Sequence, residues 1–205
     1  MQESIKFIDS AQIEAESAEN GVGIIRLMGR HCGYIAVAAA LASRDVNICL
    51  IPEVYFQLYG QEGVYERIIE RATQRGHCVV VVAEGAEDGM LEHENTLMRT
   101  ELGIVSDKVD DSGNRKNVDL AHFMVSDLKK YAKQNHNVDL TIKYLNPTYA
   151  IRTTPANGGD ADLCDRLAHT ATHCVQAGYT DFSIGLVRTN PVMIPLKLLI
   201  KQSTR

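Results

Sequence analysis

Residues 27–34 read Leu-Met-Gly-Arg-His-Cys-Gly-Tyr, between an apolar run at 22–27 and an alanine-rich stretch at 35–43. A glycine-flanked arginine at such a junction suits a phosphate. Glycine lets the backbone approach closely, a following helix N-terminus offers free N–H groups, and Arg30 adds a fixed charge. Later apolar runs are also followed by residues that could do chemistry. Pro52-Glu53 follows the second run and Glu84-Gly85 the third. Lys143 closes the fourth, with Tyr149 and Arg152 in the next loop. In a parallel α/β sheet, ligands bind outside the carboxyl ends of the strands. On that rule the cations Arg30, Lys143 and Arg152 and the acids Glu53 and Glu84 converge on one rim. Cations suit phosphate; carboxylates suit sugar hydroxyls or a metal. A phosphorylated polyol fits this set. So does the plainer reading that polar residues simply leave the ends of strands.

Other chemistries are excluded or weak. Asn20-Gly21-Val22-Gly23 precedes a strand, whereas a dinucleotide fingerprint must follow one and open a helix. No Walker, G-x-S-x-G or H-E-x-x-H string occurs. The cysteines (Cys32, Cys49, Cys78, Cys164, Cys174) are odd in number and form no C-x-x-C pair. They read as reduced thiols of a cytoplasmic protein. Histidine precedes cysteine at His31, His77 and His173, but the spacing matches no closed zinc site. His169 and His173 lie four apart and read as one face of a helix. Net charge is −5 with no Lys/Arg cluster, which argues against nucleic acid and anionic membrane as partners. No apolar run reaches the ~20 residues of a membrane span. The first ten residues lack the pattern of a secretion signal.

The elements that would position the rim follow from periodicity. Near-continuous apolar runs at 22–27, 46–51, 78–83, 140–144 and 182–187 predict strands covered on both faces. Between them lie helical stripes. Tyr65, Ile68, Ile69 and Ala72 form one, closed by Gly76; a second runs from Val118 to Ala132. Leu163, Leu167, Ala171, Cys174 and Val175 form a third, with acids in its first turn and Gly178 past its end. The alternation predicts an α/β protein: a Rossmann-like, mostly parallel sheet flanked by helices. Residues 85–117 interrupt the rhythm with a long charged segment that holds one short helix. A second break at 146–159 places a domain boundary near residue 150.

The Leu-Met-Gly-Arg-His-Cys-Gly-Tyr motif resembles the sugar-phosphate loop of 6-phosphofructokinases, and the likeness extends along the chain. Residues 14–23 resemble the lead-in of the plant and trypanosomatid branch. Ala42-Ser43-Arg44-Asp45, Ile51-Pro52-Glu53 and Val82-Ala83-Glu84-Gly85-Ala86 continue it. So do residues 143–152 and Ala177-Gly178-Tyr179-Thr180. The resemblance implies that residues 1–150 are a fructose 6-phosphate-binding domain. Met28, Gly29 and Arg30 would line the sugar-phosphate site, and Glu84 would accept from sugar hydroxyls. Lys143 matches a basic residue that reaches the 6-phosphate across a subunit interface in bacterial-type enzymes. Tyr149 stands where those enzymes carry a substrate-contacting histidine, and Arg152 on a substrate-binding arginine. Gly21 occupies the place of another cross-subunit arginine, a feature shared with the plant and trypanosomatid branch.

The resemblance breaks at the chemistry. The family's Gly-Gly-Asp-Gly nucleotide loop and Thr-Ile-Asp-Asn-Asp catalytic segment do not occur. Phosphoryl transfer needs a positioned donor, Mg²⁺ and an activating carboxylate, so no residue here is assigned as catalytic. The chain therefore reads as the C-terminal half of a 6-phosphofructokinase, inactive alone. ATP and magnesium would be held by a missing N-terminal nucleotide-binding half. Residues 151–205 would pack on that half, within a homo-oligomer. The donor, ATP rather than pyrophosphate by resemblance, is not written in these residues. The alternative is a free-standing, non-catalytic sugar-phosphate module. The apolar stripe after residue 159 and the apolar tail at 191–200 favour the half-enzyme, because an independent module would expose them.

Overall fold

The computed structural model describes residues 1–29, 32–90, 92–101 and 118–202. It divides into two units, Met1–Thr153 and Thr154–Arg205. The first unit holds strands β1 (Gly21–Leu27), β2 (Ile48–Leu50), β3 (His77–Ala83) and β4 (Thr141–Leu145). Its helices are α1 (Gln2–Glu16), α2 (Tyr34–Ser43), α3 (Val64–Arg75), α4 (Glu92–Glu101), α5 (Leu120–His136) and α6 (Thr148–Arg152). The strands form one parallel sheet in the order β2-β3-β1-β4.

Period-2 alternation explains why the strands read as continuous apolar runs. Val22, Ile24, Val80, Val82 and Ile142 bury one face against Tyr65, Ile68 and Ala72 of α3 and Met124 and Leu128 of α5. Ile25, Leu27, Val79, Val81 and Ala83 bury the other against Ile8 and Ala11 of α1 and Ala36 and Ala39 of α2. The α3 stripe and the Gly76 cap stand as the spacing predicts. Helix α1 is not foreseen by that spacing. Its buried face is small, Ser4, Ile8, Ala11 and Ala15, and alanines give little periodic signal. They suit it to lie close on β1, where Gly23 and Gly21 face Ala11 and Ala15.

Within the long segment at 85–117, the structure places a 3₁₀ turn at Ala86–Gly89 and then α4. Residues 102–117 lie outside the described residues.

The second unit corrects the sequence expectation. It holds α7 (Gly158–Gln176), β5 (Phe182–Val187), β6 (Asn190–Pro195) and α8 (Leu196–Gln202). Strand β5 does not extend the parallel sheet. It pairs antiparallel with β6, from Phe182↔Pro195 to Val187↔Asn190, in a two-stranded sheet of its own. Pro191 and Pro195 disguised β6, since proline is confined to strand ends and edges, and a two-stranded ribbon is all edge. A capping box between Asn157 and Asp160 starts α7. Leu163, Leu167, Ala171 and Cys174 of α7 are half-buried, but among the described residues 154–201 none is fully buried. Leu186, Val187, Met193, Leu198, Leu199 and Ile200 are exposed.

Candidate functional site

Strand β1 delivers Met28 and Gly29, both half-buried, to the carboxyl rim. Gly29 has φ +142°, and a Cβ there would lie 2.6 Å from the Cys32 carbonyl oxygen. The Cys32 N–H donates to the Gly29 carbonyl at 2.7 Å, closing a turn that a side chain would block. Arg30, the cation expected in this turn, lies outside the described residues.

Glu53 does not join the rim as a free acid. Its carboxylate accepts the Gly33 N–H at 2.8 and 3.1 Å. Gly33 precedes α2, so Glu53 satisfies one of the N–H groups that the sequence offered to a phosphate. A carboxylate is favoured at that end of the helix dipole.

Strand β3 delivers Glu84. Its N–H donates to the Leu27 carbonyl at 2.8 Å, locking Glu84 beside Met28 and Gly29. Its Oε1 lies 3.6 Å from Arg26 Nη2, with side chains only 16% and 15% exposed. Arg26 Nε lies 3.7 Å from Asp119 Oδ1. Tyr144 Oη donates to Asp119 Oδ2 at 2.7 Å. Burial and that bond hold the Tyr144 phenol well above its ordinary value. Sequence reasoning missed Arg26, Asp119 and Tyr144. The signal was an arginine inside an apolar strand, which is costly to bury unless paired.

Lys143 is placed differently from expectation. Strand β4 continues through Leu145, so Lys143 lies inside it, opposite Gly23. Alternation turns its side chain to the α1 face, away from Ile142 and Tyr144, and its Nζ lies 3.5 Å from Glu14 Oε2. The structure does not bring it to Glu84. Tyr149 and Arg152 ride on α6, directly after β4, and both are exposed.

Two buried carboxylates brace the surrounding loops. Glu94 on α4 accepts the Leu58 N–H at 2.7 Å and the Tyr59 N–H at 3.4 Å. Glu87 in the 3₁₀ turn accepts the Val118 N–H at 2.9 Å. Its Oε2 is buried without a hydrogen-bond partner among the described residues. Burial raises the Glu87 carboxyl above its ordinary value, and the bond from Val118 opposes this only in part. A carboxyl raised in the folded state adds stability below its unfolded value and loses it as pH rises through the folded one. Glu87→Gln keeps an acceptor for Val118 and removes the charge. The parent and the variant should melt alike near pH 4. At pH 7 the variant should be the more stable of the two, with the higher Tm. Thermal melts across that range check it; a variant less stable at pH 7 refutes the sign.

Elsewhere, a cavity of about 560 Å³ opens between edge strand β2 and α3, lined by Asn47, Arg67, Arg71 and Arg75 among others. None of the rim residues lines it. Among the described residues no group of three or more His, Cys, Asp or Glu side chains is placed to hold a metal. His169 instead faces Asp165 at 3.6 Å on α7. Burial pushes the Cys78 thiol up to about 12 and the Cys49 thiol to about 11, so neither is poised for chemistry. Among the described residues no helix is long and apolar enough to cross a membrane.

A parallel sheet with helices on both faces, bearing a glycine turn and a carboxylate side by side at its carboxyl edge, defines an α/β domain with a candidate ligand site at that edge. The phosphofructokinase family model matches residues 1–175, and the chain belongs to that family. It is 44% identical over 191 residues to ATP-dependent 6-phosphofructokinase 2 of Arabidopsis thaliana, covering 93% of this chain and 41% of that protein. It is 35% identical over 206 residues to the ATP-dependent 6-phosphofructokinase of Borreliella burgdorferi, covering 98% and 43%. The chain thus spans about two fifths of the length of these curated relatives. Its fold is that of a phosphofructokinase from Saccharomyces cerevisiae, with TM-score 0.61 at 20% identity, over 97% of this chain and 23% of that one.

Proposed function

We propose that the chain is the sugar-phosphate-binding half of a 6-phosphofructokinase, which transfers a phosphoryl group to the 1-hydroxyl of fructose 6-phosphate. One observation carries the reading. Met28-Gly29 and Glu84 are locked side by side on adjacent strand ends by the Glu84 N–H bond to Leu27, in a chain 44% identical to a named 6-phosphofructokinase. Met28, Gly29 and Arg30 line the sugar phosphate in this reading. Glu84 accepts from its hydroxyls, and Tyr149 and Arg152 contact it from α6. Lys143, held on the α1 face, serves the 6-phosphate of a neighbouring subunit in a homo-oligomer. ATP and magnesium belong to an N-terminal nucleotide-binding half, and no residue here is assigned to either. Residues 151–205 dock on that half; the absence of a buried core among described residues 154–201 supports this. Unreactive thiols at half-buried Cys49 and buried Cys78 suit a reducing compartment such as the cytoplasm.

The test is calorimetric titration of the chain with fructose 6-phosphate. Weak binding is expected, because contacts from other subunits are absent. Arg30→Ala and Glu84→Gln should each weaken it about tenfold to a hundredfold, since each removes a charged hydrogen-bonding partner worth about 1.5–3 kcal/mol. Unchanged heats in either variant would remove that residue from the site. No heat in the parent would count against the reading itself.

A further inference from the structure

Three adjacent strands carry polar residues to one face of the sheet at its carboxyl edge. Val82, Ile24 and Ile142 pack on the α3 and α5 side. Alternation puts Glu84, just past β3, Arg26 on β1 and Tyr144 on β4 on that same side. Asp119, the cap of α5, closes the layer. Its Oδ1 accepts the His122 N–H at 3.0 Å, and its Oδ2 accepts from Tyr144 Oη at 2.7 Å. The Tyr144 ring in turn packs against the His122 ring, with centroids 5.6 Å apart. Arg26 turns its Nε to Asp119 Oδ1 at 3.7 Å and its Nη2 to Glu84 Oε1 at 3.6 Å.

We propose that Arg26 is a positioning residue for Glu84: held from behind by Asp119 and Tyr144, it fixes the Glu84 carboxylate at the rim with its oxygens still open to hydroxyl donors. The inference rests on the reading of Glu84 as an acceptor from sugar hydroxyls. The hydrogen bond from the Glu84 N–H to Leu27 fixes the backbone only. The side-chain torsions are still to be settled, and among the described residues Arg26 is the charged partner that the carboxylate faces. A separation of 3.6 Å makes an ion pair but not a hydrogen bond. Charge therefore orients the carboxylate while its lone pairs stay available. Glu53 is the contrast, with both oxygens engaged by the Gly33 N–H. Arg26 and Glu84 are both mostly buried, so water screens their attraction less than at an exposed surface. The residue type matters as well. A guanidinium offers donors on separate edges, so one side chain faces Asp119 and Glu84 at once. The compact ammonium of a lysine has no second edge to offer. Asp119, finally, is held by the α5 cap and by Tyr144 together, which gives Arg26 a fixed support.

The test has two arms on the full chain. In the ligand-free protein the Arg26 Nε–H resonance is followed in side-chain nitrogen spectra. Tyr144→Phe should shift it through Asp119, and Glu84→Gln should shift it through the shared guanidinium. A resonance that either variant leaves unmoved overturns the linkage. In the second arm fructose 6-phosphate is titrated and binding is read from backbone amide shifts, which report weak affinities. The variant is Arg26→Lys, which keeps a positive charge between the two carboxylates and leaves the fold its ion pair. It should weaken binding about fivefold in the parent. In a Glu84→Gln background the same change should weaken it less than twofold, because the carboxylate to be oriented is gone. Equal losses in the two backgrounds would mean general support of the fold, or a contact of Arg26 with the sugar phosphate itself, and would overturn the positioning role. Unchanged binding by Arg26→Lys in the parent would overturn it too. If the resonance shifts as expected but the parent binds no sugar phosphate, the functional reading falls while the hold of Arg26 on Glu84 stands.

Discussion

Incubated with fructose 6-phosphate and either ATP or pyrophosphate, the chain alone should release no product above background. The reason lies in what the rim contains. Phosphoryl transfer is almost wholly a matter of holding donor and acceptor in line and offsetting the charge that develops between them. On the proposed reading the described rim offers an acceptor side only. Met28 and Gly29 form a turn, Glu84 is paired with Arg26, and Glu53 is taken up by the Gly33 N–H. Losing the placement of the donor alone forfeits an effective molarity on the order of 10⁵ M or more. Adding a separately expressed nucleotide-binding half should restore turnover. It should also raise hydrogen-exchange protection in α7, β5 and β6, where exposed apolar side chains such as Leu186, Val187 and Met193 would become buried. A coupled assay decides. Turnover by the chain alone that survives repurification would overturn the expectation and make Glu84 the first suspect as base. Failure of the added half to bind would favour a free-standing sugar-phosphate module.

The sheet was legible because its strands are buried on both faces and so read as unbroken runs of Val, Ile and Leu. The same property hid the polar residues that matter most. Arg26 stands within such a run, and only pairing in space with Glu84 and Asp119 explains it. Asp119 and Tyr144 look in sequence like a helix cap and a strand aromatic, and they are those things as well. Lys143 was read as a strand end because its neighbours are apolar. Counting in twos from Ile142 and Tyr144, both packed with the α5 side, would have turned it to the α1 face. Helix α1 escaped because its contact face is built of Ala11 and Ala15 rather than large apolar residues. Strand β6 escaped because Pro191 and Pro195 argue against a strand anywhere except in a ribbon with open edges. Local pattern carried the layers, and long-range pairing, which no local pattern contains, set the site.

Gly21→Ala should be among the most damaging single-methyl changes in the chain. It should cost about 3–5 kcal/mol and lower Tm by about 10 °C. A Cβ on Gly21 would lie 1.9 Å from the Ala15 carbonyl oxygen and 2.7 Å from its carbon. Those are backbone atoms of α1, so no side-chain rotation relieves the clash and the helix must retreat from β1. Overpacking of this kind costs about 1–3 kcal/mol. Withdrawal then loosens fully buried Ile8, where lost burial is worth about 1.5–3 kcal/mol more. Gly23→Ala, 2.7 Å from the Ala11 carbonyl oxygen, should cost less. Gly158→Ala, with nothing within 4 Å, should be neutral or slightly stabilising. Thermal melts of the three variants test the order. A Gly21→Ala protein as stable as the parent would mean that α1 does not lie on β1 as described.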